Sequence, residues 1–375
     1  MMFPLWIVAY TLFLFIGVTL YLLPAWMPST VPFGVRVPLE FSGDPVLVRL
    51  RHQYRRRIAA LGLGVLFVLV VATRFLPPTR GVMLLPSILP LFWIGAGYAA
   101  YYATRRQLLA IKAKQGWYEG QRTAAAAEIP ENADTDRLRT RSPELWIVPM
   151  IAIATATLLL TLWRYPHLPA VLPTHFGPSG QPDAYAKKSV VVALIPFFAQ
   201  SGLILLIGLI IAFVRRMRTP LDPALPRTSA VQQRVFRHRM TMALGVMGIT
   251  TALSLSATEL GVLNVLPLPI AGWGIVLFLM LGLAVTMGIV ARTGQLGGRV
   301  QVGVKEQPTG TAARDDDRFW KGGVFYYNPE NPAFWVPKRF GVGWTLNFAH
   351  PGSWIVIGGI VILFPGLAVA AVHLF

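Results

Sequence analysis

Apolar stretches of about twenty residues alternate with short polar segments along the whole chain. Eight stretches stand out, roughly Phe3 to Leu23, Ile58 to Leu76, Val82 to Thr104, Leu145 to Trp163, Ser189 to Val214, Thr241 to Thr258, Pro269 to Ala291 and Ser353 to Phe375. A bilayer core of ~30 Å is crossed by about 20 helical residues at ~1.5 Å rise, so each stretch is predicted to be a transmembrane helix. Arg74 is the one Asp, Glu, Lys or Arg inside them, close enough to the end of the second for its guanidinium to reach the interface. The first stretch lacks the basic n-region of a secretory signal and is read as a span. The pattern predicts an all-α polytopic membrane protein of about eight transmembrane helices with a small β element.

The segments between the spans divide the chain further. Residues 1–104 hold three helices and a basic loop, 105–144 a linker, 145–214 a helix pair joined by a proline-rich loop, 215–291 a basic loop and two helices, 292–352 a β-containing element, and 353–375 the last helix. Within 105–144 a short amphipathic helix is expected up to Trp117, followed by a mobile, charge-mixed tract. Within 292–352 the runs GGVFYYN, AFWVPKR and GVGWTLNF are aromatic or β-branched, separated by PENP and by FG. They predict a small antiparallel element packed on the helix ends, burying Tyr327 and Trp344, and the only sheet in the chain.

Composition agrees with the membrane reading. Hydrophobic residues make up 54% and charged residues 13%, against about 25% charged in soluble domains. The net charge of +18 is explained by its placement, since 29 of the 34 basic residues fall in loops 24–57, 105–144, 215–240 and 292–352. The positive-inside rule then puts these loops in the cytoplasm of a bacterial inner membrane and both termini outside. With the charge so explained, no nucleic acid partner is expected. The absence of cysteine excludes disulfides, thiolate nucleophiles and Cys-ligated metals.

Candidate chemistry is sparse. The spans carry hydroxyls and amides at depth, Thr155, Thr157, Thr161, Gln200, Ser201, Thr250, Thr251, Ser254 and Ser256, rather than charges. The Thr250 to Ser256 group suits helix contact better than sodium coordination. Pro86, Pro90, Pro196 and Pro365 lie inside spans and are expected to kink or break them. The Walker A, HExxH and GxSxG motifs are absent. No catalytic residue, cofactor or metal is assigned, and nothing supports an enzyme. The densest signal is the stiff loop YPHLPAVLPTHFGPSGQPDAYAKKS from Tyr165 to Ser189, where His175 and Asp183 are expected to bond backbone amides rather than a metal held with His167, Glu259 and His373.

That loop resembles the signature of a widespread bacterial integral-membrane family of unknown function, a module also found at the start of SdpI-type immunity proteins. The matching positions are Pro169, Pro173, His175, Phe176, Gly177, Gly180, Pro182, Asp183 and a lysine at Lys187 or Lys188. The run WKGGVFYYNPENPAFWVPKRFGVGWTLNF is similar to a second uncharacterised domain through Trp320, Gly323, Tyr327, Asn328, Asn331, Pro332, Lys338, Arg339, Gly341, Gly343, Trp344 and Asn347. The resemblance implies an extracytoplasmic recognition loop, a cytoplasmic motif, and a sensor, immunity or accessory binding role with the lipid bilayer and a peptide or protein as partners. A secondary transporter of a small or amphipathic solute is the alternative. A further segment, FGVRVPLEF at 33–41, echoes FGVGWTLNF at 340–348 through chance or shared turn chemistry.

Overall fold

The computed structural model describes residues 3–77, 80–124, 143–176, 182–217, 220–359 and 361–362. Long helices dominate: α1 (Phe3–Trp26), α2 (Pro45–Phe75), α3 (Arg80–Lys114), α4 (Ile147–Arg164), the single turn α5 (Val190–Ala193), α6 (Ile195–Arg216), α7 (Pro226–Val262) and α8 (Leu268–Thr293). Seven of the described helices are long and apolar enough to cross a membrane, and the protein is a multi-pass membrane protein. The eighth expected span begins as a helix at 351–359, and residues 363–375 lie outside the described residues, as does Pro365.

The helices form two groups. In the first, α1, α2 and α3 pack around Trp93, Tyr54 and Tyr101, whose side chains are almost wholly enclosed. In the second, α7 packs against α4, α6 and α8. Gly282 on α8 makes the last contact close, because a Cβ there would collide with Thr250 Oγ1, and small residues are what allow membrane helices to approach. Thr250, Thr251 and Ser254 bond carbonyls of their own helix, and Ser254 Oγ also reaches Ile275 O on α8 at 3.3 Å. Their role is therefore helix contact. The two groups touch between α1 and α8.

Several helices outrun the apolar stretches that foretold them. Helix α2 starts at Pro45, capped by Asp44, whose carboxylate accepts from Val46 N at 2.7 Å. Arg49 to Arg57 thus ride on a helix rather than a loop, because hydropathy marks only the lipid-facing length while arginine is a good helix former. Likewise α7 runs from Pro226 through Glu259 to Val262. The sixth span ended at Thr258 by charge, yet the backbone continues, so a carboxylate does sit within a long buried helix. The prolines divide in their effect. Pro86 and Pro90 lie within an unbroken α3, whereas the expected break at Pro196 is present: the fifth span is interrupted at Leu194 between α5 and α6, and Pro196 occupies the first turn of α6, where its missing N–H costs nothing.

Eight short strands form four pairs among the described residues: β1 (Arg122–Ala124) with β4 (Thr311–Ala313), β2 (Val171–Phe176) with β3 (Pro182–Lys187), β5 (Trp320–Lys321) with β6 (Phe325–Tyr326), and β7 (Trp335–Pro337) with β8 (Trp344–Leu346). The last two are the antiparallel element foreseen from the aromatic runs. The sheet count was underestimated, since the proline-rich loop is itself a hairpin and β1 joins β4 in parallel. Proline content concealed the hairpin, but Pro173 and Pro182 sit where a two-stranded ribbon tolerates a missing donor. The alternation within the aromatic run was also assigned to the wrong face. Tyr326 is 4% exposed and packs against Trp320 with ring centroids 5.0 Å apart, whereas Tyr327 is 48% exposed. A strand alternates its faces, so burying Tyr326 turns Tyr327 outward. Trp344 packs on Phe236 of α7 at 5.4 Å, as expected for an aromatic on a helix end. Of the linker, α3 continues to Lys114 and a turn carries the chain through Trp117 to β1, while 125–142 lies outside the described residues.

Candidate functional site

The proline-rich hairpin is rooted in the bundle and exposed at its tip. Leu168 and Leu172 pack with Val192, Ala193 and Leu263, which fixes the strand bases. Lys188 belongs to this root, since its Nζ donates to Leu168 O at 3.0 Å and Pro166 O at 3.2 Å above the Tyr165 ring. Ser189 then caps α5 by accepting from Val192 N. Further out, His175 Nδ1 and Asp183 Oδ1 pair at 2.5 Å across a register shift in the ladder, at 69% and 51% side-chain exposure. They bond each other rather than backbone amides. Asp183 and Lys187 are exposed, Pro173 is half-buried, and Gly177 and Gly180 lie outside the described residues together with His373. No group of three or more His, Asp or Glu suited to a metal gathers among the described residues. An exposed pair contributes little, so His175→Gln should change the midpoint of thermal unfolding by no more than about 0.5 kcal/mol equivalent, read from intrinsic fluorescence.

A denser site lies at the opposite, basic end of the helices. Three consecutive carboxylates, Asp315, Asp316 and Asp317, meet basic residues from the first helix group and from the strand element. Lys112 Nζ at the end of α3 lies 2.7 Å from Asp315 Oδ2 and 2.7 Å from Asp317 Oδ2. Arg339 bonds Asp316 and Asp317 through both terminal nitrogens and donates to Gly34 O at 2.8 Å. Arg36 donates its backbone N–H to Asp317 Oδ1 at 2.9 Å and its Nε to Asp316 Oδ1 at 3.3 Å. Gly34 has φ +69°, and any Cβ there would strike the Tyr101 hydroxyl, so only glycine lets its carbonyl meet Arg105 and Arg339 together.

Burial opposes ionisation of Asp316 and Asp317. It is the largest single influence on each, but Arg339 acting together with Arg36 for Asp316 and with Lys112 for Asp317 outweighs it, so both carboxyls are held below the usual carboxylate range. Arg36 shows the mirror image: burial is the largest influence and disfavours its charge, but Asp316 together with Tyr118, Asp222 and Asp317 more than compensates and its pKa is raised. The cluster is thus charged on both sides near neutrality.

The other motif residues organise the adjoining element. Asn347, fully buried, donates from Nδ2 to Asn328 O and Asn331 O and accepts Asn328 N–H and Ala349 N–H on Oδ1. Asn328 Nδ2 in turn donates to the Tyr326 hydroxyl at 3.0 Å. Gln295 after α8 clamps the β7–β8 turn, its Nε2 reaching Lys338 O and Gly343 O and its Oε1 accepting Gly343 N–H at 2.8 Å. Lys338 is exposed and Gly341 has φ +84°, a turn residue. Between this element, the 28–36 loop and the start of α7 lies a cavity of about 600 Å³. Arg36, Arg339, Asp222 and Asp316 give its walls mixed charge, and Trp320, Tyr326 and Trp335 give them aromatic surface.

The two segments that echo each other in sequence therefore meet in space. Phe33 and Phe340 both contact Tyr101, at ring distances of 6.5 and 4.5 Å. Sequence reading had treated Arg36, Arg105 and Lys112 as orientation charges. The signal that could have corrected this is the acidic triplet itself, set inside a basic loop.

Two family models match parts of the chain. One is a domain of unknown function, DUF1648, over residues 152–199, which takes in α4, the hairpin and the start of α6. The other is a family of unknown function, DUF5808, over residues 329–354, which supplies β7, β8, Arg339 and Asn347. No curated protein and no solved structure matches.

Proposed function

We propose that this protein is a membrane-embedded sensor or immunity-like binding protein of a bacterial cytoplasmic membrane, with the basic end in the cytoplasm and both termini outside. The observation that carries the reading is the cavity of about 600 Å³, whose walls come from the loop after α1 as well as from α7, the turn after α8 and the strands that follow. A ligand held there contacts both helix groups and favours whichever relative arrangement it fits best, and that differential contact is what shifts a population. Mixed charge, aromatic surface and backbone carbonyls suit a short amphipathic peptide segment better than a bare ion or a lipid tail. The exposed hairpin face with Asp183, Tyr185 and Lys187 serves as the recognition surface on the other side. Helix α3 is unbroken, and the interruption at Leu194 between α5 and α6 falls within about seven residues of the hairpin rather than near the middle of a span, where a transporter's discontinuous helix frames its substrate site.

The test combines orientation with capture. Single cysteines at Tyr185 and Thr309, both exposed, should react with an impermeant thiol reagent from outside and only after permeabilisation, respectively. A photo-crosslinking amino acid at Ala333, on the cavity wall, should yield a discrete peptide or protein adduct in cells. Reversed labelling overturns the orientation. Substrate-dependent flux in proteoliposomes, with no adduct at Ala333, assigns a transporter instead.

A further inference from the structure

The α4, α6 and α7 helices enclose a polar cluster that the cavity does not reach. Gln200 of α6, wholly buried, donates from Nε2 to Thr157 Oγ1 at 3.2 Å, Ser256 Oγ at 2.9 Å and Ala252 O at 3.2 Å. Thr157 and Ser256 share a further bond at 3.0 Å. One turn along, Thr161 Oγ1 donates to Glu259 Oε1 at 2.5 Å. Glu259 is 1% exposed. Two acceptor atoms in this cluster are shielded and have no partner, Glu259 Oε2 and Gln200 Oε1.

An ionised carboxylate so enclosed is costly in a low-dielectric interior, so Glu259 either holds a proton or has a positive charge beside it. Among the described residues no cationic side chain bonds it. Arg164, one turn beyond Thr161 on α4, directs its Nε to Leu263 O at 3.4 Å. The basic residues of α6 and α8 stand at the far ends of those helices, at Arg215, Arg216 and Arg292. A single positive charge makes the site neutral, whereas a divalent ion would leave an excess.

The choice between a proton and a metal cation turns on the second orphan atom. A proton on Oε2 leaves Gln200 Oε1 unanswered. A cation seated between the two layers would answer both. The residues that anchor the two layers, Thr157 and Thr161 on α4 and Ser256 and Glu259 on α7, are separated by three or four residues, or about 4.5–6 Å of helix rise. Hard cations of sodium's or calcium's size take oxygen ligands at about 2.3–2.6 Å, so one ion spans about 5 Å between opposed oxygens. Carboxylate, amide and hydroxyl oxygens are the ligands such ions prefer. We propose that Glu259 and Gln200, with Thr157, Thr161 and Ser256, form a binding site for one sodium ion between α4, α6 and α7. The site is independent of the cavity, so the peptide-binding reading stands or falls separately.

The experiment uses the purified full-length protein in choline chloride at constant ionic strength and pH 8. Radioactive sodium should bind saturably at about one ion per chain, with potassium competing at least tenfold more weakly. The thermal midpoint should rise with sodium by several degrees and level off, as mass action requires of a ligand that binds only the folded state. Glu259→Gln keeps the shape and removes the charge, and should abolish both effects. Absence of saturable binding to the wild-type protein overturns the proposal, and that measurement needs no variant to fold. Binding undiminished in Glu259→Gln also overturns it. So does a midpoint that follows pH but ignores sodium, which would leave Glu259 holding a proton.

Discussion

Replacing Asp317 by alanine should lower stability by about 3–5 kcal/mol, the range for removing one partner of a buried ion pair. Asp317 accepts from Arg36 N and from Lys112 and Arg339 together, and the Lys112 and Arg339 side chains are 9% and 4% exposed. Without the carboxylate, two cations remain enclosed with too little negative charge between them. Thermal unfolding of the detergent-solubilised protein, followed by tryptophan fluorescence, reads the loss directly. Lys321→Ala, at an exposed site of the same element, should stay within about 0.5 kcal/mol of wild type. A loss below about 1 kcal/mol for Asp317→Ala would show that the cluster is solvated rather than structural.

The same cluster sets a pH dependence with a definite sign. Asp316 and Asp317 have pKa values depressed on folding, so their stabilising contribution is complete above the unfolded-state value of about 3.9 and is lost as pH falls through the folded value. The stability gap between wild type and Asp317→Ala should therefore be constant from about pH 5 upward and close below about pH 4. A gap that narrowed between pH 6 and 8 would point to a different titrating group.

Asn347→Ala should be nearly as damaging, at about 3–5 kcal/mol, because it strips partners from four backbone groups at once. Asn328 and Ala349 lose an acceptor for their N–H, and Asn328 and Asn331 lose a donor for their carbonyls. A buried group left unpaired costs about 1–3 kcal/mol, and part of that is recovered where water can enter. Asn347→Asp separates the halves of the effect, since it keeps the acceptor and replaces the donor with a repelled charge or a single proton. Amide hydrogen exchange at Asn328 should accelerate in the alanine variant and change far less in the aspartate variant. Equal protection in both would mean that Asn347 fills space rather than organising the turn.

Much of the architecture was legible because lipid imposes a length and a polarity that few sequences meet by accident. Apolar runs located the membrane-spanning helices, and the aromatic runs located β6, β7 and β8, while β5 precedes them. What escaped was whatever depends on partners far away in sequence. Arg36, Lys112 and Arg339 read as loop charges until Asp315 to Asp317 is placed among them, and nothing local to Arg36 announces an aspartate 281 residues on. Glu259 was counted as lying beyond a span because charge was taken to end the helix, yet α7 simply continues, its carboxylate sheltered by Thr161 of another helix. The register of a two-residue strand was equally unreadable. Tyr326 and Tyr327 are alike in chemistry, and only the position of Trp320 decides which faces inward.

The pairing of Gly34 with Arg339 has a consequence for how the protein is made. A ribosome extending the chain at about 5–20 residues per second needs roughly 15 to 60 s between synthesising Gly34 and synthesising Arg339, which lies 305 residues later. Through that interval the first three helices are already in the bilayer, while the Gly34 carbonyl and the Lys112 ammonium await their partners. Truncated nascent chains that stop before Asp315 should thus carry an open, protease-sensitive 28–36 loop, which becomes resistant only after the aspartate triplet and Arg339 have emerged. The latch on the first three helices is thus closed by a segment made long after them.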